Sequence, residues 1–180
     1  MSTYLPGTMI EAKPENCETV LSAIFSAGGL VLSQVCTLTG LEQHTIQNWV
    51  KRGYLTHPVH KKYSYRQFCR IAIISMLKDS IQLDEIVKLL SYINGSLHED
   101  SSMMDDTVLY NCFTALVCLG DGNLSAMIKH IEQVTKNFAE PFYGMRKRLE
   151  NVLHIMATAY VSAQLKKQVA LSIASLDSTR

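Results

Sequence analysis

Apolar residues recur at helical spacing through most of the chain. Val20, Leu21, Ile24 and Phe25 share one face of a helix over residues 18–27, which Gly28 and Gly29 stop. A short helix follows over 33–38 and Gly40 breaks it; a second runs over 43–52 and ends at Gly53. Residues 54–63 hold Pro58, β-branched residues and aromatics, and predict a short hairpin or wing. A helix then starts at Ser64 or Tyr65 and reaches about Lys78. Another starts at Leu83 and places Ile86, Leu89, Leu90 and Ile93 on one face before Asn94, Gly95 and Ser96 close it. Residues 97–106 are polar and predict a linker or the acidic first turn of the next helix. Three helices complete the pattern, over 106–119, 124–138 and 144–172. The last carries a stripe of Leu149, Val152, Leu153, Met156, Tyr160 and Ala163, which continues to Leu165, Val169, Leu171 and Ile173. Residues 1–16 read as irregular around Pro6, Gly7 and Pro14. No internal repeat is evident.

Composition agrees with a globular chain. Of 180 residues, 47% are hydrophobic and 18% charged, enough apolar content for a core. No apolar run reaches the ~18 residues that cross a bilayer, so no membrane partner is expected. The densest run, 71–77, is bracketed by Arg70 and Lys78. Residues 1–14 lack a basic patch followed by an apolar stretch, so no secretory signal is expected. Five scattered cysteines without a C-x-x-C pair predict reduced thiols and a cytoplasmic location.

Charge changes the picture most. Residues 43–78 contain seven Lys or Arg and no Asp or Glu, while the remainder holds ten basic and sixteen acidic residues. The net charge of +1 thus hides a segment at +7 and a remainder at −6. A local basic field attracts a polyanion whatever the total charge.

The basic segment overlaps a helix-turn-helix pattern. Two helices crossing steeply need a small residue at the approach, a Gly at the turn and apolar residues at fixed offsets. Val35, Cys36, Gly40, Leu41, Ile46 and Trp49 meet those needs, and Thr39 stands where an apolar residue is usual. With Ile46 and Trp49 inward, the opposite face presents His44, Gln47, Asn48, Lys51 and Arg52. Such amides can bond adenine bidentately in the major groove, and such cations guanine or phosphate. The competing reading is the solvated face of an ordinary core helix. In the wing, His57, His60, Lys61, Lys62 and Tyr63 cluster; Lys and Tyr there suit the sugar-phosphate backbone, and the two histidines are weaker candidates for a metal. Arg66 and Arg70, four apart on the next helix, face phosphate, or one of them lies over Phe68.

The stretch LSQVCTLTGLEQHTIQNWVKRGYLTHPVHKKYSYRQFCRI, followed by LKDSIQLDEIVKLL, resembles the winged-helix DNA-binding module of MerR-type transcriptional regulators. The resemblance sets Gly53, Tyr54 and Leu55 at the exit of the recognition helix, Lys61, Lys62 and Tyr63 on the wing, and Leu83 to Ile86 at the start of the last helix. The whole chain resembles more closely an uncharacterised bacterial family, known only as a domain of unknown function, that joins this module to a helical C-terminal region. It departs from the MerR pattern in having Gln47 and Asn48 where basic residues are common. Glu42 replaces the usual helix N-cap, and Asn94, Gly95 and Ser96 interrupt the expected coiled coil.

Catalytic signatures are lacking: no Gly-rich phosphate loop, H-E-x-x-H or G-x-S-x-G occurs. His98, Glu99 and Asp100 read as solvated charge. Cys112 and Cys118 read as core fillers, with thiol sensing as a minor alternative. Phe113, Met127 and Tyr160 rim an imaginable pocket but suit plain core.

The sequence therefore predicts a mainly α chain: an N-terminal segment (1–30), a MerR-like winged helix-turn-helix (31–95) and an all-helical C-terminal domain (96–180) for dimerisation, effector or partner binding. The expected function is sequence-specific binding of double-stranded DNA by a homodimeric bacterial transcriptional regulator, not an enzyme, without cofactor or metal. His44, Gln47, Asn48, Lys51, Arg52, Lys61, Lys62, Tyr63 and Arg66 are the expected contacts. The alternative is a protein-interaction module that uses the winged helix as a scaffold for an acidic partner.

Overall fold

A computed structural model describes residues 4–94 and 104–177. The chain is mainly helical. Helices α1 (Cys17–Phe25), α2 (Leu32–Thr39) and α3 (Gln43–Lys51) precede α4 (Tyr65–Leu77) and α5 (Leu83–Asn94). Then come α6 (Asp106–Gly120), α7 (Leu124–Thr135) and α8 (Met145–Asp177). Two short strands, β1 (Leu30–Val31) and β2 (Lys62–Tyr63), pair antiparallel. Among the described residues, no helix is long and apolar enough to cross a membrane.

The dense apolar content of α4 explains the architecture. A helix that is apolar all round must be covered all round. Residues Phe68 to Ile74, with Met76 and Leu77, are buried, and α1, α2, α5, α6 and α8 pack against them. One continuous core therefore runs from Leu21 and Val35 through α4 to Tyr110, Phe113, Leu149 and Met156. Phe113 and Met127 are fully buried and belong to the core, while Tyr160, whose ring meets Phe113 edge-on with centroids 5.6 Å apart, is half-buried and borders a cleft of about 700 Å³.

Local chemistry sets the boundaries. Ser64 accepts from the Gln67 N–H, and Gln67 Oε1 accepts from the Ser64 N–H at 2.8 Å, a reciprocal cap that starts α4. Asp105 caps α6 through the Thr107 N–H, and Asn123 caps α7 through Ala126. Helix α7 stops three residues earlier than its apolar spacing suggests, in a turn closed by the Phe138 N–H on the Thr135 carbonyl. Helix α8 runs past the expected residue 172 to Asp177, because its Ala, Gln, Leu and Lys content contains no breaker.

The predicted hairpin within 54–63 is smaller than expected. It reduces to a bridge between Val59 and Lys62, turned by positive φ at His60 and Lys61. The strand partner of Tyr63 is Leu30, ahead of α2.

The irregular N-terminal residues are packed into the core. Leu5 is buried, the Met9 N–H donates to Leu38 O at 2.8 Å, and Tyr110 Oη donates to Pro6 O at 2.7 Å. Gly7 is required here: its φ is +73°, and a Cβ would lie 2.1 Å from the Ala72 carbonyl oxygen.

Candidate nucleic-acid interface

Helices α2 and α3 are joined through Gly40, which takes the left-handed conformation at the end of α2. Val35, Ile46 and Trp49 are buried between them, with Cys36 and Leu41 half-buried at the edge. Thr39 is buried too. Its hydroxyl donates to Val35 O at 2.7 Å and accepts from the Leu41 N–H, so the polar residue is satisfied where an apolar one was expected. Glu42 makes no side-chain cap on α3; its carboxylate meets His44 Nδ1 at 3.0 Å instead.

The outer face of α3 is exposed at His44, Gln47, Asn48, Lys51 and Arg52, as the helical spacing predicts. These residues are not equally available. Arg52 lies over the Tyr54 ring at 4.6 Å and pairs with Asp84 Oδ1 at 3.7 Å, and Tyr54 Oη donates to the same carboxylate. The side chains of Gln47, Asn48 and Lys51 make no such bonds among the described residues. Lys61 and Lys62 are exposed at the turn before β2. Between α3 and this turn lies a cleft of about 560 Å³, bordered by Ser33, Gln43, Gln47, Val50, His57 and Lys61.

Two sequence expectations need correction. Tyr63 was expected on the outer surface, but it is 3% exposed: in β2, Lys62 faces out and Tyr63 faces in. Its ring belongs to the core. Arg70 was expected at phosphate or over Phe68. It is 3% exposed and donates from Nε to Tyr54 O at 2.9 Å and from Nη1 to both Asp106 oxygens at 3.3 and 3.4 Å. Asn94 Nδ2 also donates to Asp106 Oδ1. Burial pushes the Asp106 carboxyl above the usual carboxylate range, while Arg70 and then Arg66 pull it back down. Arg66 is half-buried, with Nε 3.7 Å from Asp106 Oδ2.

Sequence reasoning missed Gln67. Beyond capping α4, its Nε2 donates to Thr56 O, Thr56 Oγ1 and His57 O at 3.0, 2.9 and 3.1 Å. One amide thereby fixes the start of the basic loop to α4. The Ser-x-x-Gln spacing announced the cap, but nothing local announced the reach to residue 56. His98, Glu99 and Asp100 lie outside the described residues.

A family model for a domain of unknown function, DUF1836, matches residues 23–113, slightly more than half of the chain. The chain belongs to the DUF1836 family. The DUF1836 span begins inside α1 and ends inside α6, so it contains α2, α3 and the basic loop together with Arg70, Asn94 and Asp106. No curated protein and no solved structure matches the chain.

The thiols of this DUF1836 chain are poor nucleophiles by environment. Burial raises the pKa of Cys17, Cys36, Cys69, Cys112 and Cys118, that of Cys112 to about 11, and Glu15 adds to the effect at Cys118. At pH 7.5, iodoacetamide should therefore modify each of the five more slowly than free cysteine, as followed by mass spectrometry. A cysteine that reacts faster than the free amino acid at that pH would restore thiol sensing as a reading.

Proposed function

We propose that this DUF1836 protein binds duplex DNA sequence-specifically, as a cytoplasmic bacterial transcriptional regulator. In this reading α2 and α3 are a MerR-type helix-turn-helix, and the 54–63 loop is its wing. The observation that carries the proposal is the outer face of α3: Gln47, Asn48 and Lys51 are exposed and Gln47 shares a cleft with Lys61, within a segment that lacks acidic residues. Gln47 and Asn48 read base edges, Lys51 meets bases or phosphate, and the loop lysines position the protein on phosphate. One short helix reads few base pairs, so two copies on paired half-sites are the expected assembly. The C-terminal end of α8 offers the contact surface: Leu165, Val169, Ile173 and Leu176 are 56%, 59%, 59% and 68% exposed, and their spacing of three or four residues puts them on one face of the helix.

The test is duplex binding across a salt series. If about four to six phosphates are neutralised, log affinity should fall against log salt with a slope of roughly −4 to −5. Lys61→Ala with Lys62→Ala should weaken preferred and random duplexes alike. Gln47→Ala or Asn48→Ala should reduce discrimination between them by ~1–3 kcal/mol. No binding at low salt, or an affinity indifferent to salt, rules the proposal out.

The second reading, a scaffold for an acidic protein partner, draws on a specific feature. Two carboxylates already dock on this face, Glu42 against His44 and Asp84 against Arg52. A tight complex with an acidic protein and no duplex binding would select it.

A further inference from the structure

A second cleft, about 310 Å³ in volume, opens on the other side of the basic loop beside the first turn of α4. Lys62, Ser64, Arg66, Arg70 and Asp106 are among the residues that border it. Arg70 is almost wholly buried, and its hydrogen bonds leave one terminal nitrogen over. Nε serves Tyr54 O and Nη1 serves Asp106, while Nη2 is buried without a hydrogen-bond partner among the described residues. A buried donor left unsatisfied is costly, and more so when it carries charge.

Two further features favour an anion. Lys62, Arg66 and Arg70 border the cleft with one carboxylate, Asp106, which already accepts from Arg70 and Asn94. The balance of two positive charges matches a phosphate dianion. The first turn of α4 also opens here. Its first helical bond runs from the Phe68 N–H to Ser64 O, and Ser64 Oγ takes the Gln67 N–H. The Tyr65 and Arg66 N–H groups precede that bond and carry the positive end of the helix dipole.

We propose that this cleft binds a single phosphate-class oxyanion, held by the Arg66 and Lys62 side chains and by the leading N–H groups of α4, over the buried and incompletely paired guanidinium of Arg70. A tetrahedral anion offers acceptors in several directions at once, which these donors require and a carboxylate serves less well. The anion would join the basic loop, α4 and, through Asp106, α6. Its source is either a free phosphorylated small molecule or a phosphate of the duplex backbone. The site itself does not depend on the DNA reading.

The experiment titrates inorganic phosphate into the full chain at constant ionic strength, with chloride as the exchanged ion, and follows backbone and arginine side-chain N–H signals by NMR. Saturable shifts should concentrate at residues 64–67 and at the Arg70 side chain. A Lys62→Gln/Arg66→Gln variant, altered only at side chains with solvent contact, should bind phosphate about tenfold more weakly or worse. Shifts that scatter over the surface without saturating, or a double variant with unchanged phosphate affinity, overturn the proposal. A short duplex added to the same samples separates the sources. Phosphate that competes with duplex marks a backbone contact, and phosphate that binds alongside duplex marks a small-molecule site; both support the cleft. If phosphate saturates the site and no duplex binds at any salt, the DNA reading fails and this one stands. If duplex binds and phosphate does not saturate, the reverse holds.

Discussion

Asp106→Ala should destabilise the fold by about 3–5 kcal/mol, seen as a lower midpoint in urea with an unchanged slope. The substitution removes the acceptor of a guanidinium that is 3% exposed and leaves its charge inside the protein. Asn94 loses the same partner. Replacing both members of the pair, Arg70→Met with Asp106→Leu, should recover part of the loss, because no charge is then left buried, although Asn94 and the Tyr54 carbonyl still lack their partners. An Asp106→Ala midpoint equal to that of the unaltered chain would show that water reaches the guanidinium and that the pair is not a buried one.

Deleting the residues after Ala163 should turn a dimer into a monomer without unfolding it. The side chains from Gln164 to Leu176 are exposed, so their removal takes nothing from the core. In a dimer each Leu, Ile or Val that becomes buried contributes about 1.5–3 kcal/mol. Leu165, Val169, Ile173 and Leu176 from each of two chains give a gross gain above the roughly 8 kcal/mol of micromolar association, from which the cost of pairing two chains is subtracted. Sedimentation velocity on the two proteins decides the matter. A full chain that is monomeric at that concentration, or a shortened one that stays dimeric, removes the proposed assembly.

The sequence was most legible where spacing is short. Val35, Gly40, Ile46 and Trp49 lie within four turns of chain, so their offsets alone implied two helices, a turn and an outward face at Gln47 and Asn48. The dense apolar run 71–77, broken only by Ser75, likewise fell in a helix that the spacing implied. Legibility failed where a residue's environment depends on a distant partner. Arg70 looks like a surface cation bracketing that run; only the arrival of Asp106, 36 residues later, makes burial tolerable. Tyr63 sits in a strand of two residues, too short for alternation to fix its facing, and its partner Leu30 is far away in sequence. Gln67 shows the same division within one side chain, since its cap on Ser64 is local and its grip on Thr56 and His57 is not. The apolar stripe of α8 could be read from its period. Where it leaves the core, past Ala163, was legible too, because there the stripe outruns what one side of the fold can cover.

The bond from Tyr110 to the Pro6 carbonyl has a consequence for how the protein is made. Its two residues are separated by 104 positions, and Gly7 docks on Ala72 between them. Residues 5–10 emerge from the ribosome early, yet their binding surface is incomplete until α4 and α6 have followed. Leu5 and Ile10 stay exposed to solvent and to chaperones throughout that interval. Closing so long a loop is also slow by topology. Residues 5–10 precede α4 and α6 in synthesis, and their packing is complete only after both have arrived.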